Sequence, residues 1–568
     1  MKPFAGVNRG RNPDFPFLSL PPRGNSPWVV ETEIESAERW LAALPVTDSA
    51  TTARQLYEAV YTLNRLDVDS GRRLALLEIY RRPLATAVEG LRANYGHLAL
   101  PLTPQLKRLA DFLLQLHVEY AYGYKHVIES ARGVRRPWET TGFLLAMERT
   151  LRYLGEVLLS AYHVYMPAPS GVWREIHALY RYLEEHEISE TPVLQVDAET
   201  PGLRYRQILM LGLCGPYQLS QNECHRVNAF LSRWSGKVEM GRDVEDIDPT
   251  GKFLIDFDSD LPAVPFPRDI PLRAEENLRT INALELARTV YNFIQRIQKG
   301  EPSRALGLGF ECVSGSCIDT LRRMMKFWGV ASGRHFTRRR TRESVSLCVG
   351  VNAAHFFIDG QRPFAPSGMQ PEIVAPFVPE DREKNTAGPL AEPPRPEVFR
   401  IDSKWQVRDE SAGGLSLVRN GESGLPMRVG DLLGVQKAGV GSWRLGVVRW
   451  LKSPDVRLVE MGVEMLAPVA TALAVRRARG EGDEHRYRQA LLVPPIDVLR
   501  QPATLIMSRE NCQPGQDVEI FSDGAEPRYV RLLKMIERTG AFAQFVFADL
   551  TTTAGNVRRT SPKVRGAQ

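Results

Sequence analysis

The sequence predicts a multidomain α+β protein, with a large all-α N-terminal domain followed by two antiparallel β units. Three observations carry this. Apolar residues recur at helical spacing from about residue 30 to 235. Alternating, β-branched runs take over from about residue 343. The length of 568 residues exceeds the roughly 100–200 that one domain usually holds.

Residues 1–27 are rich in Gly, Pro and Asn and are expected to form a flexible leader. A mainly helical domain is expected over 28–300. Leu56, Val60 and Leu63 share one helix face, as do Leu106, Leu109, Leu113 and Leu116, and then Leu144, Met147, Leu151, Leu154 and Leu158. Thr103-Pro104 is a start signal: a capping hydroxyl, then a proline at the first helical position. Strand-like KVEM and KFLIDFD interrupt this region, and helices are expected again at 272–298 and 316–328. A β domain is expected over 301–470, opened by SVSLCVGV and broken by a Pro-rich insertion at 359–400. A charged linker at 471–489 should lead to a small β domain at 490–555 and a basic tail at 556–568.

Composition narrows the function. Hydrophobic residues make up 43% and charged residues 25%, which is ordinary globular usage. Six cysteines are too few for a disulfide scaffold. The N-terminus shows no apolar signal segment, and no run approaches the 18 or so apolar residues of a membrane span, so a cytoplasmic protein is expected. No nucleophile elbow, Walker, zincin or dinucleotide-binding motif is present, which argues against an enzyme and against a metal. The net charge of +6 is modest, but Arg334, Arg338, Arg339, Arg340 and Arg342 crowd into nine positions. Such a cluster repels itself unless an anion neutralises it. Guanidinium forks grip phosphate oxygens and the O6/N7 edge of guanine.

A second motif follows at Asp409-Glu410-Ser411-Ala412-Gly413-Gly414, between two strand-like runs. On a strand Asp409 and Ser411 share a face, and the paired glycines permit a turn or a close backbone approach. Arg338-x3-Arg342 followed by Asp409-x-Ser411-x-x-Gly414, with GVVRWLKSPDVRLVEMGVEML as closing strands, resembles the PilZ family of cyclic di-GMP receptors over about 335–468. The resemblance implies a PilZ-like antiparallel β-barrel and a non-enzymatic, ligand-switched receptor in bacterial second-messenger signalling. It also implies that cyclic di-GMP is the ligand and that no cofactor is needed. Arg338 and Arg342, helped by Arg339 or Arg340, would clamp phosphates and guanine edges. Asp409 would accept from a guanine N1/N2 edge, Ser411 would add a polar contact, and Gly414 would allow close approach.

The arginines are expected on a flexible segment ahead of the barrel, and the helical domain is expected to engage a protein partner. The second β unit is compatible with a degenerate PilZ-like barrel, but it lacks both motifs. One departure stands out: 67 positions separate Arg342 from Asp409, far more than the family pattern. A long loop is thermodynamically tolerable, but the spacing leaves open whether the two motifs meet. The alternative is a degenerate PilZ-like scaffold, or a nucleic-acid-binding protein that does not bind cyclic di-GMP; nucleic acid is the less favoured partner.

Overall fold

The structure is a computed structural model that describes residues 18–93, 98–193, 199–244, 248–267, 276–308, 310, 316–329, 337–365, 399–421, 424–455, 457–478, 486–495, 501–509, 513–522 and 526–550. The chain divides into two compact units, Met1–His335 with Lys452–Asp455, and Phe336–Leu451 with Val456–Gln568.

Among its described residues the first unit opens with eight helices: α1 (Ile34–Ala42), α2 (Ser49–Leu63), α3 (Ser70–Ala93), α4 (Pro104–Ser130), α5 (Thr141–His163), α6 (Val172–Glu185), α7 (Pro201–Leu213) and α8 (Gln221–Trp234). The capping chemistry follows the sequence. Thr103 accepts from Leu106 N ahead of Pro104, and Thr200 accepts from Leu203 N ahead of Pro201. At α8 a capping box pairs Ser220 with Glu223. Glu223 also accepts from Thr320 Oγ1 at 2.6 Å and from Arg323, so this cap ties α8 to a later helix. Ser220→Ala is expected to lower stability by about 1 kcal/mol, read as a lower melting temperature of the first unit's helical signal.

The expected leader differs from the structure in its described part. Leu18 is fully buried, and Ser19 donates from its backbone N to Glu175 Oε1 at 3.0 Å. Lys125 Nζ reaches Glu175 Oε2 at 2.7 Å, so Glu175 on α6 anchors both the incoming chain and α4. The rest of the leader, 1–17, lies outside the described residues.

Four short strands follow: β1 (Glu239–Gly241), β2 (Lys252–Asp256), β3 (Val264–Pro265) and β4 (Leu278–Asn282), in the order β1-β4-β2-β3. The helix expected over 272–298 therefore starts later, as α9 (Leu284–Gln298). The segment before it pairs with β2 along Phe253↔Ile281 and Leu254↔Thr280, which buries Ile281 and Phe253 against the helices. Helix α10 (Ser316–Trp328) falls where it was expected and buries Leu321, Met324 and Trp328 in the same core. No helix among the described residues is long and apolar enough to cross a membrane.

The second unit opens with β5 (Arg339–Arg340), β6 (Ser344–Val349) and α11 (Val351–Ile358). It continues with β7 (Asp402–Ser411), β8 (Gly414–Asn420), β9 (Leu432–Lys437), β10 (Arg444–Asp455) and β11 (Leu458–Ala467). The order β5-β7-β6-β9-β10-β11-β8, with β7 also paired to β8, closes these strands into an antiparallel barrel. Most of the Pro-rich insertion, 366–398, lies outside the described residues.

A second closed barrel, β12-β13-β14-β17-β16-β15, uses β12 (Thr471–Arg477), β13 (Arg488–Val493), β14 (Thr504–Ser508), β15 (Asp517–Phe521), β16 (Arg528–Arg538) and β17 (Phe542–Asp549). The expected linker at 471–489 is thus revised. Thr471–Arg477 is a strand that pairs with both β13 and β15, and its arginines end a run whose Leu473 and Val475 are core. Of that stretch, 479–485 lies outside the described residues, as does the basic tail. Helix α11 buries Ala354 and Phe357 in a core shared by Leu432 and Val447 of one barrel and Leu491, Ile506 and Phe542 of the other. Arg449 Nη2 also donates to Glu537 Oε2 at 3.0 Å from barrel to barrel.

Candidate functional site

The two motifs meet despite their separation in sequence. β5 lies antiparallel on β7 with Arg339 opposite Glu410 and Arg340 opposite Asp409. Thr341 N donates to Arg408 O, and Val407 N donates to Glu343 O, so the pairing runs on into β6. Arg338 Nη1 then reaches Asp409 Oδ1 at 2.9 Å. The segment expected to be flexible is, from Arg339, a strand laid on the barrel wall; Arg334 lies outside the described residues.

A bulge decides which way the acid points. Trp405 and Val407 of β7 are core residues, so strict alternation would turn Asp409 inward as well. The register of β7 against β8 shifts between Val407 and Asp409, which places Asp409 opposite Ser416. Ser416 sits between the buried Leu415 and Leu417, on the other face of β8. One extra residue in β7 therefore turns the motif onto the outer wall. Ser411 shares that face, opposite Gly414, and its Oγ donates to Gly414 O at 3.4 Å across the two-residue turn Ala412-Gly413.

The row continues across the sheet, since Ser416 faces Gly462 on β11. A side chain at Gly462 would run into the Trp450 indole, so the missing Cβ lets Trp450 of β10 lie flat over it. The sequence pointed to Trp450 only as part of a strand pair. Its place in the row depends on inter-strand register, which no single segment displays. Gly414 has a similar explanation. A Cβ there would press on Val463 O, so its glycine is required by the close approach of β8 to β11.

Charges around the site are sorted by face. Lys437 Nζ donates to Glu410 Oε2 at 2.8 Å and pairs with Glu343 at 3.0 Å. Partial burial works against the Lys437 charge, but hydrogen bonds to Glu410 and Glu343 outweigh it and hold the amine above its usual range. The hydrogen bond from Lys437 likewise holds the Glu343 carboxyl below its usual range. Arg408 donates to Glu460 at 3.1 Å. Arg338, Arg339, Arg340 and Arg342 are all exposed. The wall thus presents guanidinium donors, a carboxylate, hydroxyls and an aromatic plate. Among the described residues no group of His, Cys, Asp and Glu could hold a metal ion.

Comparison with known proteins agrees with this layout in chain order. Residues 35–244 match a family model described as the N-terminal domain of the cyclic-di-GMP receptor FimW. Residues 252–388 and 380–472 match its middle PilZ domain, and 473–550 match its C-terminal β-barrel domain. A relative from Pseudomonas aeruginosa, described as cyclic-di-GMP receptor FimW, is 28% identical over 571 residues, covering 93% of this chain and 92% of its own length. With a middle PilZ domain between a helical part and a second barrel, the chain belongs to the PilZ-domain family.

Proposed function

We propose that the chain is a non-enzymatic cytoplasmic receptor for cyclic di-GMP, bound on the outer wall of the first barrel. The convergence of Arg338 with Asp409 carries this reading. Arg338 and Arg342, with Arg339 and Arg340 beside them, grip the phosphates and the guanine O6/N7 edge. Asp409 accepts from the guanine N1/N2 donors, and Ser411 adds a hydroxyl contact. Trp450 offers a ring face for a base. Gly414 contributes by setting the strand spacing of the wall.

The Arg338–Asp409 pair is solvent-facing, with side-chain exposures of 45% and 20%. Such pairs contribute only about 0–1 kcal/mol. Asp409 is therefore cheaply exchanged: the ligand takes Arg338 and Asp409 from one another at little cost. That exchange is the switching step, and the helical unit is the output, which engages a protein partner.

The test is a calorimetric titration of the full chain with cyclic di-GMP, followed in parallel by the tryptophan fluorescence that Trp450→Phe removes from the wild-type signal. A saturable 1:1 or 2:1 isotherm that persists at raised salt and is absent with cyclic di-AMP is expected. Binding that falls steeply with salt and ignores base identity would instead mark a general phosphate surface. No binding at high micromolar ligand would leave a scaffold.

A further inference from the structure

We propose that the helical unit carries a second small-molecule site, a cleft between α3, α4, α5 and α8 that takes a phosphomonoester about the size of a sugar phosphate. The inference stands apart from the cyclic di-GMP reading. The cleft has a volume of about 590 Å³. That lies within the range of about 300–1,000 Å³ usual for small-ligand sites.

Its cationic wall is laid out by helical spacing. On α3, Arg81, Leu84, Val88 and Arg92 follow at intervals of three and four, so one face of the helix turns into the cleft. Arg152 of α5 adds a third guanidinium. Each is braced by a carboxylate: Arg81 on Glu78 at 2.7 Å, Arg92 on Glu156 at 2.7 Å, and Arg152 on Glu199 at 2.6 Å. A guanidinium has five N–H donors, so bracing fixes its plane and leaves donors to spare. Arg152 Nε and His225 Nε2 are buried with no hydrogen-bond partner in the protein. Buried polar groups are normally satisfied, so these two mark a site built for something further.

Three imidazoles complete the polar half. His117 from α4 shares a hydrogen bond with Ser160 Oγ at 3.2 Å, and the rings of His163 and His225 lie 4.6 Å apart. Burial pushes His117 down to about 4. Burial, then Arg92 and His163, push His225 down to about 2. The charged and titratable groups around His225 are Arg92 from α3, His117 from α4, and Glu156 and His163 from α5. Both imidazoles are therefore neutral at pH 7, and a bound dianion would favour their charged form. Among the described residues this cluster does not make a cation site.

Size and lining select the class of anion. The lining also holds the carboxylates of Glu89 and Glu156, the latter paired with Arg92, so the three guanidiniums leave it a net positive charge. With neutral imidazoles beside them, they suit the three oxygens of a phosphate dianion. The volume far exceeds a bare phosphate, and Leu84, Ala85 and Val88 give the cleft an apolar side where an organic group can rest.

The test is calorimetric titration of the full chain with ribose 5-phosphate and with orthophosphate as probes. Saturable binding of ribose 5-phosphate, tighter than that of orthophosphate, is expected. Arg92→Lys keeps the charge but loses the fork, and His225→Gln keeps polarity. Each should weaken binding at least tenfold, about 1.4 kcal/mol, while leaving cyclic di-GMP titrations unchanged. If Arg92→Lys fails to fold, the His225→Gln arm decides alone. The proposal is overturned by no saturable heat at about 10 mM ribose 5-phosphate, a Kd worth only about 2.7 kcal/mol. Binding that both folded variants leave intact also overturns it, as does orthophosphate binding equally well.

Discussion

Arg338→Ala is expected to weaken cyclic di-GMP binding at least tenfold, about 1.4 kcal/mol. Hydrogen bonds to charged groups contribute about 1.5–3 kcal/mol, and truncation leaves a phosphate or guanine edge unpaired. Arg342→Ala should lose a similar amount. Asp409→Ala should do so too, with an added signature: preference for guanine over adenine erodes, because the carboxylate is the acceptor for N1/N2. Melting temperatures of the ligand-free variants should scarcely move, since Arg338 and Asp409 form an exposed pair. Titration of the three variants beside the wild type reads all of this. Equal affinity in both arginine variants would place the ligand elsewhere on the chain.

The largest stability effect should come from a residue that touches no ligand. Arg419 of β8 is 2% exposed and donates from Nε to Asp402 Oδ2 at 2.8 Å and from Nη1 to Gly421 O at 3.0 Å. Asp402 also accepts from Trp405 Nε1 at 3.2 Å and from Lys404 N at 3.1 Å. Removing one member of a buried pair strands the other charge, at a cost of about 3–5 kcal/mol. Arg419→Ala should therefore lower the melting temperature of the barrels steeply or prevent their folding. The double variant Arg419→Met with Asp402→Asn separates the causes, because it carries no stranded charge and the amide oxygen keeps one of the two donors, which bind different carboxylate oxygens. It should recover much of the loss by calorimetry; a double variant as unstable as the single one would show that packing, not the stranded charge, sets the cost.

The helices with complete apolar stripes were legible because their signal is local. Leu144, Met147, Leu151, Leu154 and Leu158 display α5 without any knowledge of their partners. Thr103-Pro104 marks the start of α4 in the same way. Elements that exist because of a partner were not legible. Arginine has no preference for strands, and β5 is formed by register on β7 alone. Leu278–Asn282 reads as the lead-in to a helix until β2 is there to pair with it. Helix α11 is eight residues, VNAAHFFI, barely two turns with Asn352 as its one exposed residue, so it is too short to show a period from which to recognise it.

The site followed the same division. The residue types and their order were plain in the chain. Their meeting across 67 positions, the outward turn of Asp409 at the bulge, and Trp450 over Gly462 are products of pairing.

Helix α11 also bears on how this chain can be cut and inherited. Its side chains are mortar between two rings of strands, and neither ring has a finished surface where the other is removed. A truncation at residue 470 would uncover Phe357 and Leu432 on one fragment and Leu491, Ile506 and Phe542 on the other. Exposed apolar patches of this kind drive aggregation. The pair should travel through evolution as an indivisible cassette, and recombination that brings one barrel without its neighbour should be selected against.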